Sequence, residues 1–124
     1  MNIMYYVIIA AKIIIFISII NVWFFRFNKK TPYRGGEASS MKAEFASYGL
    51  SETMVYIVGA LKVLSALCIL LSIWVPQLAI PAASVMAILM IGAIIMHLKI
   101  KDSLMKSLPA FIFLVLSLFI VSYA

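Results

Sequence analysis

The chain has 124 residues, of which 66% are hydrophobic and 11% are charged, and its formal net charge is +6. This is too little polar surface to cover a water-soluble globule, so the composition predicts an integral membrane protein. The basic balance does not call for nucleic acid as a partner, because the short cytoplasmic loops of membrane proteins collect Lys and Arg.

Four apolar runs are long enough to cross a bilayer as helices. A hydrocarbon core about 30 Å thick takes about 20 helical residues, and runs near that length occupy residues 3–25, 54–74, 80–98 and 108–123. We therefore predict an all-α fold in which residues 1–124 form one domain, a four-helix transmembrane bundle. The first run has no basic segment before it and contains Lys12, so we interpret it as a retained helix rather than a signal peptide.

The long polar interval between the first two runs contains a short amphipathic segment, residues 41–48. Met41, Phe45 and Tyr48 fall at i, i+4 and i+7, which indicates one apolar helical face, whereas we interpret Lys42 and Glu44 as pointing elsewhere. We expect this short interfacial helix in the first loop to lie flat on the cytoplasmic face of the membrane.

Lys and Arg residues outside the apolar runs are confined to the first loop and to the segment after the third run. They are Arg26, Lys29, Lys30, Arg34, Lys42, Lys99, Lys101 and Lys106. The N-terminus, the second loop and the C-terminus hold none. The positive-inside rule therefore places both basic segments in the cytoplasm and both termini outside. The expected location is a bacterial inner (cytoplasmic) membrane, crossed several times.

Two lysines lie inside the apolar runs. Lys12 is about 13 Å from the outer end of its run, and Lys62 is about 12 Å from the cytoplasmic end of its own. A charged lysine at the bilayer centre costs about 2.5 kcal/mol or more, and no acidic residue lies within a run to pair with it. Either side chain can snorkel to the interface instead. Gly59 and Ser65, three residues to each side of Lys62, give it a small, partly polar face that suits a pocket.

A stripe on the third run ends at the only histidine. Met86, Met90, Ala93 and His97 repeat at spacings of four, three and four, which is typical of one buried helical face. His97 is either an interfacial residue or a ligand-binding one. A lone histidine cannot provide bis-histidine haem ligation, and no metal site is predicted. Cys68 is the single cysteine, which excludes an intramolecular disulfide.

Several short motifs together are similar to those of a known family. They are Phe25-Arg26, residues 33–36 (YRGG), 41–45 (MKAEF), 48–50 (YGL), 59–62 (GALK) and 92–97 (GAIIMH), with Asp102 beyond them. In order and spacing the chain resembles the DoxX-like family of small four-helix membrane proteins. The resemblance implies the four-helix membrane fold. It also implies a function in quinone-linked oxidation of sulfur compounds or in membrane oxidoreductase complexes. In an animal branch of the family, the function implied is assembly of receptor channels. Many DoxX relatives have an acidic residue where this chain has Lys62.

These observations favour a membrane binding or accessory protein over an independent enzyme. We predict that the bundle holds a small amphipathic molecule, a quinone or a lipid, in association with a membrane oxidoreductase; quinone is the cofactor that this hypothesis would involve. The predicted ligand-binding residues are Lys62, Lys12, His97, Gly59 and Ser65. One alternative is a ligand-free assembly or scaffold factor for another membrane protein, and a second is a small-solute transporter that acts as a homo-oligomer. The residues predicted to form an interface are Arg34, Gly35, Gly36, Met41, Phe45 and Tyr48.

Overall fold

The computed structural model describes residues 3–124, and this part of the chain is helical and contains no strand. The helices are α1 (Ile3–Ile20, continued by a π-helical turn, Asn21–Phe25), α2 (Met41–Ser47), α3 (Glu52–Leu71), α4 (Ala79–Lys99) and α5 (Leu108–Tyr123). Short 3₁₀ turns, Pro76–Leu78 and Leu104–Ser107, lead into α4 and α5. The predicted all-α fold is confirmed.

Four of these helical segments are long and apolar enough to cross a membrane. They are Ile3–Phe25, Glu52–Leu71, Pro76–Lys99 and Leu104–Tyr123, with mean hydropathies between 2.3 and 2.5. In the bundle α1 packs against α3 and α5, and α4 packs against both α3 and α5. The chain is therefore a multi-pass membrane protein, in which the first loop and the connection between α4 and α5 lie at the same end of the bundle.

The core between the long helices is built from branched aliphatic and small side chains. Ile15, Ile69 and Ile120, on α1, α3 and α5, are 0% exposed. Ala83 and Ala87 on α4 are also buried. Small residues let helix backbones approach closely, which is the main source of packing energy where lipid replaces water as the solvent.

Helix α2 begins and ends as its sequence indicates. The Ser40 hydroxyl accepts a hydrogen bond of 3.1 Å from the Ala43 N–H, which caps the first turn. Gly49 has a φ of 81°, in the left-handed region that glycine adopts most readily after a helix. The short helix predicted over residues 41–48 is confirmed, and its last α-helical residue is Ser47.

The apolar face of α2 packs against the bundle, and the position of this helix on the cytoplasmic face of the membrane stays a prediction. Its apolar residues Met41, Phe45 and Tyr48 are 4%, 6% and 4% exposed, and all three belong to the core of the bundle. The Met41 N–H also donates a 2.7 Å hydrogen bond to the Phe27 carbonyl, which ties the helix to the end of α1. An apolar face of this length can be buried against lipid or against protein, and here α2 covers the end of the bundle.

One tight contact holds the end of α1 against α3. The sequence predicts that this end of α1 is the cytoplasmic one. Trp23 in the π-helical turn is 8% exposed, whereas Phe24 and Phe25 are 62% and 70% exposed. A Cβ at Gly59 would lie 2.5 Å from Trp23 Cζ3, closer than packed atoms allow. The absence of a side chain at Gly59 is therefore what allows the Trp23 indole to lie between α1 and α3.

The positive-inside pattern gives a topology that labelling can test. In a chain with Cys68→Ala, single cysteines at exposed Lys30 and Lys101 should react with a membrane-impermeant thiol reagent only from the cytoplasmic side, because both lie at the basic end of the bundle. A cysteine at Gln77, in the loop at the opposite end, should react only from outside. Labelling of Lys30→Cys and Gln77→Cys from one side would contradict the four-span arrangement.

Candidate functional site

A cavity of about 670 Å³ lies in the bundle beneath α2. Pockets that enclose small molecules are typically about 300–1,000 Å³. Apolar side chains from all four long helices line most of it. The charged or hydrogen-bonding side chains on its wall include Arg26, Arg34, Glu44, Tyr48, Lys62, His97 and Lys106. The cavity thus has an apolar body and a polar end.

Four rings in sequence form one wall of this cavity. The centroid of Trp23 is 6.1 Å from that of Phe45, Phe45 is 6.0 Å from Tyr48, and Tyr48 is 5.7 Å from His97. Two of the three pairs are edge-to-face, a favourable geometry for ring packing. This aromatic wall (Trp23, Phe45, Tyr48 and His97) connects α1, α2 and the end of α4.

Lys62 lies at the Trp23 end of the aromatic wall. Its Nζ is 5.6 Å from the centroid of the indole, within the range of a cation–π contact. Among residues 3–124, no carboxylate lies within 4.0 Å of this ammonium group. The neighbour of this amine is therefore the face of an aromatic ring and not a carboxylate.

The other end of the wall is held by a buried histidine–aspartate pair. His97 Nδ1 is 2.7 Å from Asp102 Oδ2, and the two side chains are 6% and 7% exposed. Asp102 also accepts the Gly36 N–H at 3.1 Å, and Lys106 Nζ is 3.8 Å from Asp102 Oδ1. Burial raises the pKa of Asp102, but the hydrogen bonds from His97 and Gly36 and the charge of Lys106 outweigh it, so the pKa is below its usual value. Asp102 is therefore ionised at neutral pH.

A second buried pair connects the first loop to Tyr48. Arg34 Nη1 is 3.2 Å from Glu44 Oε1, and the Tyr48 hydroxyl donates to Glu44 Oε2 at 2.6 Å. Arg34 also donates through Nε to the Lys29 carbonyl at 3.1 Å and through Nη2 to the Phe27 carbonyl at 3.3 Å. Burial, with the adjacent Glu44 charge, raises the pKa of Tyr48. Tyr48 therefore stays protonated, and its hydroxyl donates its hydrogen bond to Glu44.

The two pairs join into one closed network. Tyr48 Oη lies 3.5 Å from His97 Nε2, at the outer limit of a hydrogen bond, and Gly36 is two residues beyond Arg34 in the chain. We call this set the polar network; its members are Arg34, Gly36, Glu44, Tyr48, His97 and Asp102. It connects the first loop, α2 and the end of α4 around the polar end of the cavity.

The structure brings some of the predicted ligand-binding residues together and separates others. Lys62 and His97 line the cavity, and Gly59 packs against its Trp23 wall. Ser65 is buried on a smaller hollow between α3 and α4. Lys12 is 8% exposed and lines neither space.

The side chains of Lys12 and Lys62 belong to different regions of the bundle. Lys62 Nζ lies over Trp23. Lys12 precedes Trp23 by eleven residues on the same helix, which corresponds to roughly 16 Å along the axis. The Lys62 side chain thus extends towards the basic end of the bundle, away from the level of Lys12.

Five of the six residues predicted to form an interface are buried. Arg34, Gly35, Met41, Phe45 and Tyr48 are buried, and a Cβ at Gly35 would overlap the Tyr48 ring. Gly36 has a φ of 58° and directs its N–H at Asp102. These residues build the cover of the cavity and do not present an outer surface.

Glu44 and Asp102 are site residues that sequence reasoning missed. The interpretation that Glu44 points away from the apolar face is wrong, because its carboxylate contacts Tyr48 and Arg34. At 100° per residue, Glu44 is only about 40° from Tyr48 around the helix, so this signal was present in the spacing. Both residues are also among only four acidic residues in the chain, which was a second signal.

Comparison with known proteins gives one family. No curated protein and no solved structure matches the chain. The sequence model of the DoxX-like family matches residues 35–120, which include α2, all of α3 and α4, most of α5 and every member of the polar network except Arg34. Because this match covers more than half of the sequence, the chain belongs to the DoxX-like family.

Proposed function

We propose that this protein holds a small amphipathic molecule, a quinone or a membrane lipid, in the cavity beneath α2. The observation that carries the proposal is a cavity of about 670 Å³ that is apolar along the helices and polar at the end covered by the first loop. A molecule with an apolar tail and a polar head matches this division. A quinone held there would serve a membrane oxidoreductase.

The apolar part of the cavity reaches the lipid-facing surface of the bundle. Ile88 lines the cavity and is also 68% exposed, and Leu89 next to it lines the cavity as well. A hydrophobic tail can therefore enter from the bilayer without crossing water. This arrangement supports a ligand taken from the membrane over one taken from the cytoplasm.

The polar end of the cavity offers an unusual excess of positive charge. Its charged lining residues are Arg26, Arg34, Lys62, Lys106 and Glu44. Glu44 pairs with Arg34, which leaves Lys62 without a carboxylate partner in the described part of the chain. An electron-rich oxygen such as a carbonyl, phenolate or phosphate would stabilise this ammonium group, because a buried cation without a partner is costly. In this proposal the head of the ligand lies beside Lys62 and the aromatic wall.

A scaffold role without a ligand has less support. In that alternative the first loop would bind another membrane protein. Its predicted contact residues are instead used inside the fold, where they cover the cavity.

Filling the cavity should remove the ligand without unfolding the protein. Gly92 lines the cavity, and a Cβ at this position would meet no atom within 4 Å. We expect Gly92→Leu to fold with an unchanged or higher melting temperature, since glycine inside a helix costs about 1 kcal/mol relative to alanine. Mass spectrometry of lipid extracts from the purified protein should show at least a tenfold loss of the amphipathic molecule that the wild-type protein retains.

The matched control for this variant is Ile95→Leu, on the exposed side of the same helix and outside the cavity. It should retain the molecule in wild-type amounts. Equal retention by folded Gly92→Leu and wild-type protein would show that the cavity is not the binding site.

Removing the amine of Lys62 should weaken retention of the ligand. Lys62→Met keeps the length of the side chain and its packing but cannot donate a hydrogen bond. A hydrogen bond to a charged group contributes about 1.5–3 kcal/mol, so we expect roughly tenfold to hundredfold weaker binding, measured as ligand per protein after a series of detergent washes. Lys12→Met is the matched control, because Lys12 is buried outside the cavity, and it should leave retention unchanged. Equal effects of the two substitutions would assign the loss to the helices in general and not to the site.

A further inference from the structure

We infer that His97 Nε2 is a hydrogen-bond acceptor that selects ligands with a hydroxyl group at the polar end of the cavity. This inference rests on the proposed function, because it names the chemistry of the head group that the same cavity holds.

The Nδ1 nitrogen of His97 carries a hydrogen. Its contact at 2.7 Å is an oxygen of Asp102. The ionised carboxylate has no hydrogen of its own to give, and it already accepts the Gly36 N–H. A short contact between this oxygen and Nδ1 therefore requires that Nδ1 donates. In the neutral imidazole Nε2 is then the acceptor.

The acceptor role of Nε2 belongs to the neutral imidazole, and this is the form that the inference assigns to His97. Asp102 is already compensated by Lys106, 3.8 Å away, and Glu44 by Arg34, 3.2 Å away. Arg26 and Lys62 add two further positive charges to the cavity wall. Both carboxylates of the polar network thus have a cationic partner other than His97.

The side-chain contact that His97 Nε2 makes within residues 3–124 is long and supplies no hydrogen. The nearest hydroxyl is that of Tyr48, at 3.5 Å, and its single hydrogen is donated to Glu44 at 2.6 Å. Lys99 Nζ donates to the Tyr48 carbonyl at 3.0 Å, and Lys106 Nζ donates to the Gly36 carbonyl. These two ammonium groups thus bind backbone carbonyls, while His97 lines the cavity.

A ligand that supplies an O–H group completes this arrangement. A hydroxyl can donate a hydrogen bond to His97 Nε2. A carbonyl or an ether oxygen has no hydrogen to donate, so its lone pair would repel that of Nε2. The ligand class is therefore a hydroxylated amphiphile. Its hydroxyl can be aromatic, as in the reduced form of a quinone, or aliphatic, as in the head of a neutral lipid.

Matched pairs of probes test this inference directly. 4-Octylphenol and its methyl ether, 4-octylanisole, differ only in the hydroxyl hydrogen and one methyl group; 1-decanol and decyl methyl ether form the aliphatic pair. Binding is measured at pH 8 by quenching of Trp23 fluorescence in nanodiscs. The background is Trp74→Phe, because Trp74 is 71% exposed and outside the cavity. We expect one hydroxyl probe to bind about fivefold to tenfold more tightly than its ether, the size of one neutral hydrogen bond.

His97→Phe removes the acceptor and keeps an aromatic ring in the wall. The preferred hydroxyl probe should then bind only as tightly as its ether, and the unchanged affinity of the ether reports that the cavity is intact. The pair that shows the preference identifies the source of the hydroxyl, aromatic or lipid-like.

The possible failures are distinguishable. Equal affinity for hydroxyl and ether in both pairs of the wild-type protein overturns the inference and leaves the proposed function standing. A preference that survives His97→Phe overturns the assignment to His97. Absence of binding by all four probes contradicts the proposed function, and the inference with it.

Discussion

The end of the bundle that carries the two basic segments is held together by hydrogen bonds to the Asp102 carboxylate. This carboxylate receives the Gly36 N–H at 3.1 Å and His97 Nδ1 at 2.7 Å, which joins the first loop to the end of α4 across 66 residues of sequence. A buried carboxylate loses much of its hydration, and hydrogen bonds to the charged form compensate for that loss. Gly36 can direct its N–H there because a φ of 58° is inexpensive for glycine. The polar network therefore fixes the first loop through hydrogen bonds and not only through burial of apolar surface.

The cavity follows from this constraint together with the burial of Arg34. The guanidinium of Arg34 is hydrogen-bonded to Glu44 and to the carbonyls of Phe27 and Lys29, which follow α1, so α2 is held over the bundle. Its Phe45 and Tyr48 rings then continue the wall that begins at Trp23 and ends at His97. The same contacts hold the first loop and α2 over the polar end of the cavity.

The sequence predicted the local features well, because they depend on neighbouring residues. Twenty apolar residues in a row specify a spanning helix wherever it packs, and Gly49 ends α2 through its own backbone. The direction of the α2 apolar face was not predictable, since lipid and protein bury such a face equally well. The same is true of the Gly36–Asp102 contact and of Lys62 over Trp23, which join distant parts of the chain. Spacing within one helix cannot determine which helix lies opposite.

Hydrogen exchange of residues 34–48 in nanodiscs is the most direct test of the central claim that Asp102 holds the loop and α2 over the cavity. Asp102→Ala should raise the exchange rates of the Gly36 amide and of the α2 amides by about tenfold or more, while the amides in the middle of α3 and α4 keep their protection. Glu37→Ala, an exposed carboxylate in the same loop, should leave all of these rates unchanged. Wild-type exchange rates over residues 34–48 in folded Asp102→Ala would contradict the account.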